Sequence, residues 1–129
     1  MLFWLILVAA GVLEDGVRLS NQGQWAEARE KFAEAVRQQP RNAMAWKALG
    51  VAAGKVGLAA DSEEAFRRSC ELDRKLADAC YYHARSLYVL NRFEEALAAL
   101  KVVAAADPKQ GRRLVATGQA LEALGRERE

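Results

Sequence analysis

The sequence contains few of the residues from which active sites and metal sites are usually built. It has one histidine, two cysteines and two prolines in 129 residues. One histidine with two cysteines is too small a set for a zinc site. No Gly-rich phosphate loop lies between a strand pattern and a helix pattern. The sequence therefore predicts no catalytic residues, no metal and no cofactor, and indicates that the protein is not an enzyme.

An excess of charge of one sign is also missing. The net charge is +2, from 19 basic and 17 acidic residues that are interspersed along the chain. A nucleic-acid-binding protein more often carries a concentrated basic stripe, so nucleic acid is not expected as a partner. No stretch alternates apolar and polar residues as a half-buried strand does. Long stretches rich in Ala, Leu, Glu, Arg and Lys favour helix instead, and the expected fold class is all-α.

The chain repeats itself every 34 residues without gaps. Small residues recur in one column, residues that end helices in a second, and large apolar residues in a third. These columns are Gly16, Gly50, Ala84 and Gly118; Gly23, Gly57, Asn91 and Gly125; and Phe32, Phe66 and Leu100. The small column is expected where a second helix presses closely on the first. The second column predicts helix C-termini, because Gly and Asn accept the left-handed conformation found there.

The repeated residues resemble the tetratricopeptide repeat signature, Trp-x2-Leu-Gly-x2-Tyr…Ala-x3-Phe…Pro. The matching segments are Trp46-x2-Leu49-Gly50, Ala28-x3-Phe32 with Pro40, and Ala96-x3-Leu100 with Pro108. The chain departs from the signature at three places, where Ala53 and Leu87 replace the Tyr and Arg74 replaces the Pro. The resemblance covers about residues 9 to 125.

This resemblance implies a right-handed α-solenoid of antiparallel helix pairs in a single domain, 1–129. The expected repeats span about 9–42, 43–76 and 77–110. Residues 111–125 would form the first helix of a fourth unit, which is either a solvating cap or the start of a truncated repeat. The implied function is that of a protein–protein interaction scaffold. The alternative is a structural unit that assembles with copies of itself through its ends and its apolar N-terminus.

The N-terminal residues are apolar without interruption as far as Leu13, and residues 1–8 precede the first repeat. Three interpretations stay open: an extension of the first helix that packs on the array or on a partner copy, part of a signal or membrane anchor, and a fragment of a longer upstream helix. Such a run is short for a membrane span, which needs about 20 residues. If residues 1–13 are part of a signal or anchor, the protein is membrane-associated or exported; otherwise a cytoplasmic location is expected.

The first helices of stacked repeats line a concave groove. Residues on the face away from the second helix are therefore the candidate peptide-binding residues: Met44, Lys47, Val51, Lys55, Tyr81, Tyr82, Arg85 and Tyr88, with Asp78 beside them, Leu13, Val17 and Asn21 in the first helix, and Arg112, Val115 and Gln119 in the last. Tyr and Arg often carry binding energy at interfaces. Lys47 and Arg85 would suit a C-terminal carboxylate or an acidic side chain. The alternative is that these are ordinary solvated helix residues.

Members of the family that bind chaperone tails grip the terminal carboxylate with a clamp of Lys, Asn and Arg side chains. The matching positions here are Leu13, Val17, Ala48, Asp78 and Tyr82, none of which carries the clamp residue. Binding of Hsp70-type or Hsp90-type tails in that manner is therefore not expected.

The remaining polar residues are expected to be structural. Cys70 and Cys80 are interpreted as two buried small apolar side chains, with a disulfide between them as the alternative. His83 shares a column with Leu49, which favours a satisfied core histidine. Glu63-Glu64 and Glu94-Glu95 begin second helices, where acidic residues complement the helix dipole.

Overall fold

The structure, a computed structural model, describes residues 2–103 and 109–128. Within those residues the chain forms seven α-helices and no β-strand. They are α1 (Leu2–Asn21), α2 (Trp25–Gln38), α3 (Ala43–Lys55), α4 (Ala59–Leu72), α5 (Ala77–Val89), α6 (Phe93–Val103) and α7 (Gln110–Arg128). Each helix packs on the next one in the chain. We call α1, α3, α5 and α7 the first helices and α2, α4 and α6 the second helices.

The turns inside the three helix pairs share one geometry. Gly23, Gly57 and Asn91 have φ values of 75°, 83° and 60°, the left-handed region that the repeat column predicted. After each of them, a backbone N–H donates back to a carbonyl five residues earlier, as in Gln24 N to Leu19 O at 2.9 Å. This is the hydrogen bond of a Schellman helix end. The same column predicted a helix end at Gly125, and that prediction is wrong, because α7 continues to Arg128.

Close contact between the two helices of a pair depends on the small column. A Cβ atom built on Gly16 would lie 2.5 Å from the ring of Phe32, and one on Gly50 would lie 2.8 Å from the ring of Phe66. Both distances are too short for non-bonded carbon atoms. The glycines are therefore required by the aromatic side chains that cross them.

Small polar side chains fasten α4 to α3. Ser62 Oγ donates to the carbonyl of Gly50 at 2.8 Å, and Ser69 Oγ donates to the carbonyl of Ala43 at 2.7 Å. Both serines are buried, and both stand where other repeats have Ala or Val. A hydroxyl is tolerated at these positions because it finds a carbonyl that the helix leaves with spare acceptor capacity.

The core follows the array as a series of clusters between neighbouring helices. Leu19, Ala28, Phe32 and Ala52 form one cluster, and Val12, Ala35, Val36 and Ala45 form another. A third contains Cys70, Cys80, Tyr81, Ala84, Leu100 and Val103. The first two clusters join α2 to the first helices on either side of it, and the third joins α5 to α4 and α6, as expected when repeats contact only their neighbours.

Cys70 and Cys80 form a disulfide that joins α4 to α5. Both residues are buried, as predicted, but the favoured interpretation of two unlinked thiols is wrong. The turn between the two helices brings their Cα atoms to 4.7 Å, within the range that a disulfide bridges.

Helix α1 is continuous from Leu2, so its backbone extends before the first repeat. The side chains of residues 2–10 lie outside the described residues, and their packing on the array or on another copy stays a prediction. Among the helices described, none is both long enough and apolar enough to cross a membrane.

Candidate functional site

One end of the predicted groove is crossed by a row of charges from α3, α5 and α7. Asp78 on α5 lies 3.6 Å from the ammonium of Lys47 and 2.7 Å from the guanidinium of Arg112. The hydrogen bond from Arg112 lowers the pKa of Asp78, and the positive charges of Lys47, Arg112 and Lys109 act in the same direction against partial burial. The carboxylate therefore stays ionised, and Lys47 is already paired with it rather than reserved for a ligand.

Tyr81 does not belong to the accessible groove. Its side chain is buried in the cluster with Cys80, Ala84 and Leu100, and only 9% of the residue is exposed. The guanidinium of Arg112 lies over its ring at 4.2 Å from the centroid. The expectation that Tyr81 contacts a partner is corrected accordingly. Its column faces the groove, but α7 covers it.

The centre of the predicted groove contains two clefts that share Arg85. Tyr82, Arg85 and Val89 line a cleft of about 320 Å³ that continues to Gly54 and Ser62. Arg85 and Tyr88, with Gln119 of α7, line a second cleft of about 200 Å³. Arg85 is exposed and has no ion-pair partner among the residues that the structure describes. It is thus a cation available to a ligand at the junction of two apolar clefts.

The aromatic side chains at this site are held by other rings. The ring of Tyr82 packs against that of Phe66 with centroids 5.3 Å apart, and Tyr88 meets Phe93 edge-on at 5.2 Å. Tyr82 is partly buried and Tyr88 is 37% exposed. Rings fixed in this way lose little freedom when a ligand covers them.

The predicted groove residues of α3 are not equally accessible. Met44 is 54% exposed, and Val51 is partly buried. The ammonium of Lys55 lies 5.5 Å from the ring centroid of Trp25, which turns this exposed cation toward α2. On α1, Leu13, Val17 and Asn21 line a separate cleft with Glu14 and Arg18. Arg85, Tyr82, Tyr88 and Met44 are therefore accessible at the groove surface. Lys47 is paired with Asp78, and Lys55 lies against the ring of Trp25.

A second polar cluster, which the sequence analysis missed, lies between α4, α5 and the turn that precedes α6. His83 Nε2 is 3.1 Å from Glu63 Oε1, and Arg92 lies 3.9 Å from the same carboxylate. Glu63 is buried and lies beyond the first turn of α4, which begins at Ala59, so the prediction that it begins that helix and complements its dipole is wrong. The prediction of a satisfied histidine is correct, although His83 is only partly buried. The repeat columns gave no clear signal, since Glu63 shares its column with the charged Arg29 as well as with the apolar Leu97.

Burial lowers the pKa of His83, while the hydrogen bond and the charge of Glu63 oppose that change. The neutral imidazole is therefore favoured. This cluster and the disulfide line a cleft of about 390 Å³. Within the described part of the chain, no group of three or more His, Cys, Asp or Glu residues is placed to hold a metal ion.

Comparison with known proteins places the chain in a family. The tetratricopeptide repeat model matches residues 13–77 and 81–128. Comparison with curated proteins gives no match.

Solved structures with the same fold include the first repeat domain of Spaghetti (RPAP3) bound to the HSP90 peptide SRMEEVD, at 20% identity and a TM-score of 0.82, covering 91% of this chain and 93% of that one. The MamA protein has a TM-score of 0.85 at 22% identity, covering 91% of this chain and 64% of that one. The Yersinia enterocolitica type III secretion chaperone SycD, in complex with a peptide of the translocator YopD, has a TM-score of 0.75 at 15% identity, covering 93% and 94%.

These similarities show the right-handed α-solenoid that the repeat pattern predicted. Together with the family match over most of the chain, they establish that this protein belongs to the tetratricopeptide repeat family.

Proposed function

We propose that the concave face of the array binds a peptide segment of another protein, and that the segment carries an acidic side chain or a C-terminal carboxylate. Arg85 is the observation that carries this proposal. Its guanidinium is exposed and unpaired within the described residues, and it stands between two apolar clefts. Arginine binds carboxylates with two parallel hydrogen bonds, which gives direction as well as affinity.

The surroundings of Arg85 supply the other parts of a peptide site. Tyr82 and Tyr88 offer fixed aromatic surface, and Met44 and Val115 offer exposed apolar surface along the same face. Concave sites of this kind combine apolar walls with a few polar groups that fix orientation. Structural neighbours bound to peptides, Spaghetti and SycD, are consistent with such a use of the fold.

Peptide selection from a randomised display library tests the proposal. We expect the selected peptides to be enriched in Asp, Glu or a free C-terminus. The Arg85→Glu variant should bind them at least about tenfold more weakly, because the attraction between Arg85 and the peptide carboxylate becomes a repulsion. Arg37→Glu, an exposed change on α2, is the matched control and should bind normally. Equal binding by the Arg85→Glu variant would remove the groove from consideration.

A further inference from the structure

A cleft between the second helices α4 and α6 lies where the preceding repeat holds a tryptophan side chain. Trp46 and Cys80 share a repeat column, as do Val36 and Cys70. Between α2 and α4, the indole of Trp46 packs against the cluster that contains Val36 and leaves a cleft of only about 180 Å³. Between α4 and α6, the disulfide takes both positions, and the cleft measures about 390 Å³. We call this space the α4–α6 cleft; its walls include Arg67, Arg74, Ala98 and Val102.

The backbone of the α4–α6 cleft offers the hydrogen-bond acceptor that an indole uses in the preceding repeat. Trp46 Nε1 donates to the carbonyl of Pro40 at 2.8 Å. The carbonyl in the same column of the next repeat belongs to Arg74. Within the described residues it accepts no hydrogen bond from a nitrogen or oxygen atom, and the Sγ of Cys80, 4.0 Å away, has no proton to donate in a disulfide. The carbonyl of Arg74 can therefore accept an indole N–H from a ligand.

The charges in the wall of the cleft also suit an aromatic ring. In the preceding repeat, the guanidinium of Arg68 lies over the ring of Trp46, 5.1 Å from its centroid. In the α4–α6 cleft, Arg67 and Arg74 are exposed and form no ion pair within the described part of the chain, although Glu71 lines the same cleft. A guanidinium is attracted to the negative face of an aromatic ring. Two cations are therefore available to cover a bound indole.

The chain has no tryptophan of its own for this cleft. Trp46 lies one repeat away, and Trp25 lies against the ammonium of Lys55. Helix α1, which carries Trp4, packs on α2 and α3. Residues 104–108, which follow α6, contain no aromatic residue. Residues that extended the array past α7 would pack on its last helices rather than between α4 and α6, because repeats contact only their neighbours.

We propose that the α4–α6 cleft binds a tryptophan side chain carried by a segment of another protein. The ring lies over the disulfide, its N–H donates to the carbonyl of Arg74, and a guanidinium covers its face. This site is separate from the groove, since second helices form its walls and Arg85 does not line it. The array would then hold partner segments on two sides.

The probe is a blocked pentapeptide with a central tryptophan between glycines, titrated into the isotope-labelled full chain with its disulfide intact. It should shift the amide signals of Cys80 and Val102 in a saturable way. The same peptide with a 1-methylindole ring cannot donate to Arg74 and should bind about threefold to tenfold more weakly, as expected for the loss of one hydrogen bond. Free tryptophan is titrated beside it, to distinguish a peptide site from a site for a small molecule.

Protein variants show whether the peptide uses the α4–α6 cleft. Cys70→Val with Cys80→Trp gives the cleft the pair found at Val36 and Trp46, so that the chain's own indole fills it. Binding should be lost. Cys70→Ala with Cys80→Ala also removes the disulfide but leaves the cleft open, and this control should still bind. Circular dichroism establishes that both variants are folded at the temperature of the titration.

A second blocking variant keeps the disulfide. Ala98→Phe adds a ring at an exposed position in the wall of the cleft, and it should weaken binding at least about tenfold by steric overlap with the ligand. Ala26→Phe is the matched control, because Ala26 is also exposed but lies on α2. It should bind like the unchanged protein.

Three results would overturn the proposal: no saturable binding of the pentapeptide, equal binding by the 1-methylindole peptide, or equal binding by the Ala98→Phe variant. Binding of free tryptophan without binding of the pentapeptide would also overturn it, because the ligand would then be a small molecule. So would self-association, seen by light scattering, that Ala98→Phe abolishes, because the occupant would then be a second copy. None of these results bears on the groove, whose test depends on Arg85.

Discussion

The glycines of the first helices have no Cβ atom, and at some of them this absence lets the two helices of a pair pack closely. At most helical positions, replacing Gly by Ala stabilises a helix by about 1 kcal/mol. At Gly16 and Gly50 the added methyl group would overlap a phenylalanine ring, but at Gly118 it would meet open space. The same substitution should therefore have opposite effects within one column of the repeat.

We expect Gly50→Ala to lower the free energy of unfolding by about 1–3 kcal/mol, because overpacking against Phe66 outweighs the gain in helix propensity. Gly118→Ala should raise it by up to about 1 kcal/mol. Urea denaturation followed by circular dichroism measures both values. Equal stabilisation by the two substitutions would show that Phe66 does not fill the space over Gly50.

His83 gives stability a dependence on pH. Its pKa lies below the ordinary value of 6.5 in the folded chain, so the unfolded chain takes up a proton first as the pH falls. Above about pH 6.5 the imidazole is neutral in both the folded and the unfolded chain, and the free energy of unfolding is unaffected by His83. Below that pH the unfolded chain binds the proton more readily, so the free energy of unfolding decreases. We expect the melting temperature to fall between about pH 6.5 and 5.

His83→Gln keeps a hydrogen-bond donor for Glu63 but does not titrate, and it should remove this part of the pH dependence. Thermal melts across that pH range compare the two proteins. If the unchanged chain and the variant lose stability in parallel, His83 is not the responsible group.

At the scale of the elements, the repeat columns predicted most of the architecture. The left-handed turns at Gly23, Gly57 and Asn91 were predictable because each needs a residue that accepts a positive φ, and Gly or Asn recurs there every 34 residues. The error at Gly125 has a physical cause. Glycine permits a helix to end but does not require it to end, and the helix stops only where the turn is stabilised by contacts with the next helix. Beyond Gly125 the helix continues, and Arg126 forms an ion pair with Glu122 one turn earlier.

The candidate site was less predictable than the helices. The periodicity placed Tyr81 on the groove side of α5. That α7 covers it depends on packing between repeats, and the spacing of residues within one helix gives no information about such packing. In the same way, Lys47 and Asp78 were each predicted to face the groove, but their ion pair depends on the spacing of α3 and α5. Contacts between different helices determine which of these side chains remain accessible to a ligand.

The link between α4 and α5 should contribute measurably to stability. The disulfide closes a short loop, since its cysteines are ten residues apart. Loop closure of this size is expected to stabilise the fold by about 2–3 kcal/mol. Reduction of the unchanged chain should lower its melting temperature. The Cys70→Ala, Cys80→Ala variant should already be destabilised and should not respond to reductant, and a response of that variant would contradict the assignment.

At the scale of the whole molecule, the fold is shared with proteins that bind chaperone tails, but the groove chemistry differs. Spaghetti is bound to an HSP90 peptide, yet the clamp positions here carry residues such as Leu13, Val17 and Asp78. Asp78 would place a carboxylate against the terminal carboxylate of the tail. We expect the peptide SRMEEVD to show no binding in the micromolar range by calorimetry, and micromolar binding that Tyr82→Ala weakens would show that another clamp exists.

The location of the bound peptide is the most direct test of the account. A photoreactive phenylalanine analogue placed at Tyr88, in the groove, or at Val102, which is 44% exposed on α6, would be irradiated with a selected acidic peptide. If the peptide binds in the groove, a covalent adduct forms from position 88 and none forms from position 102. An adduct from position 102 alone, or equal yields from both positions, would contradict peptide binding in the concave groove.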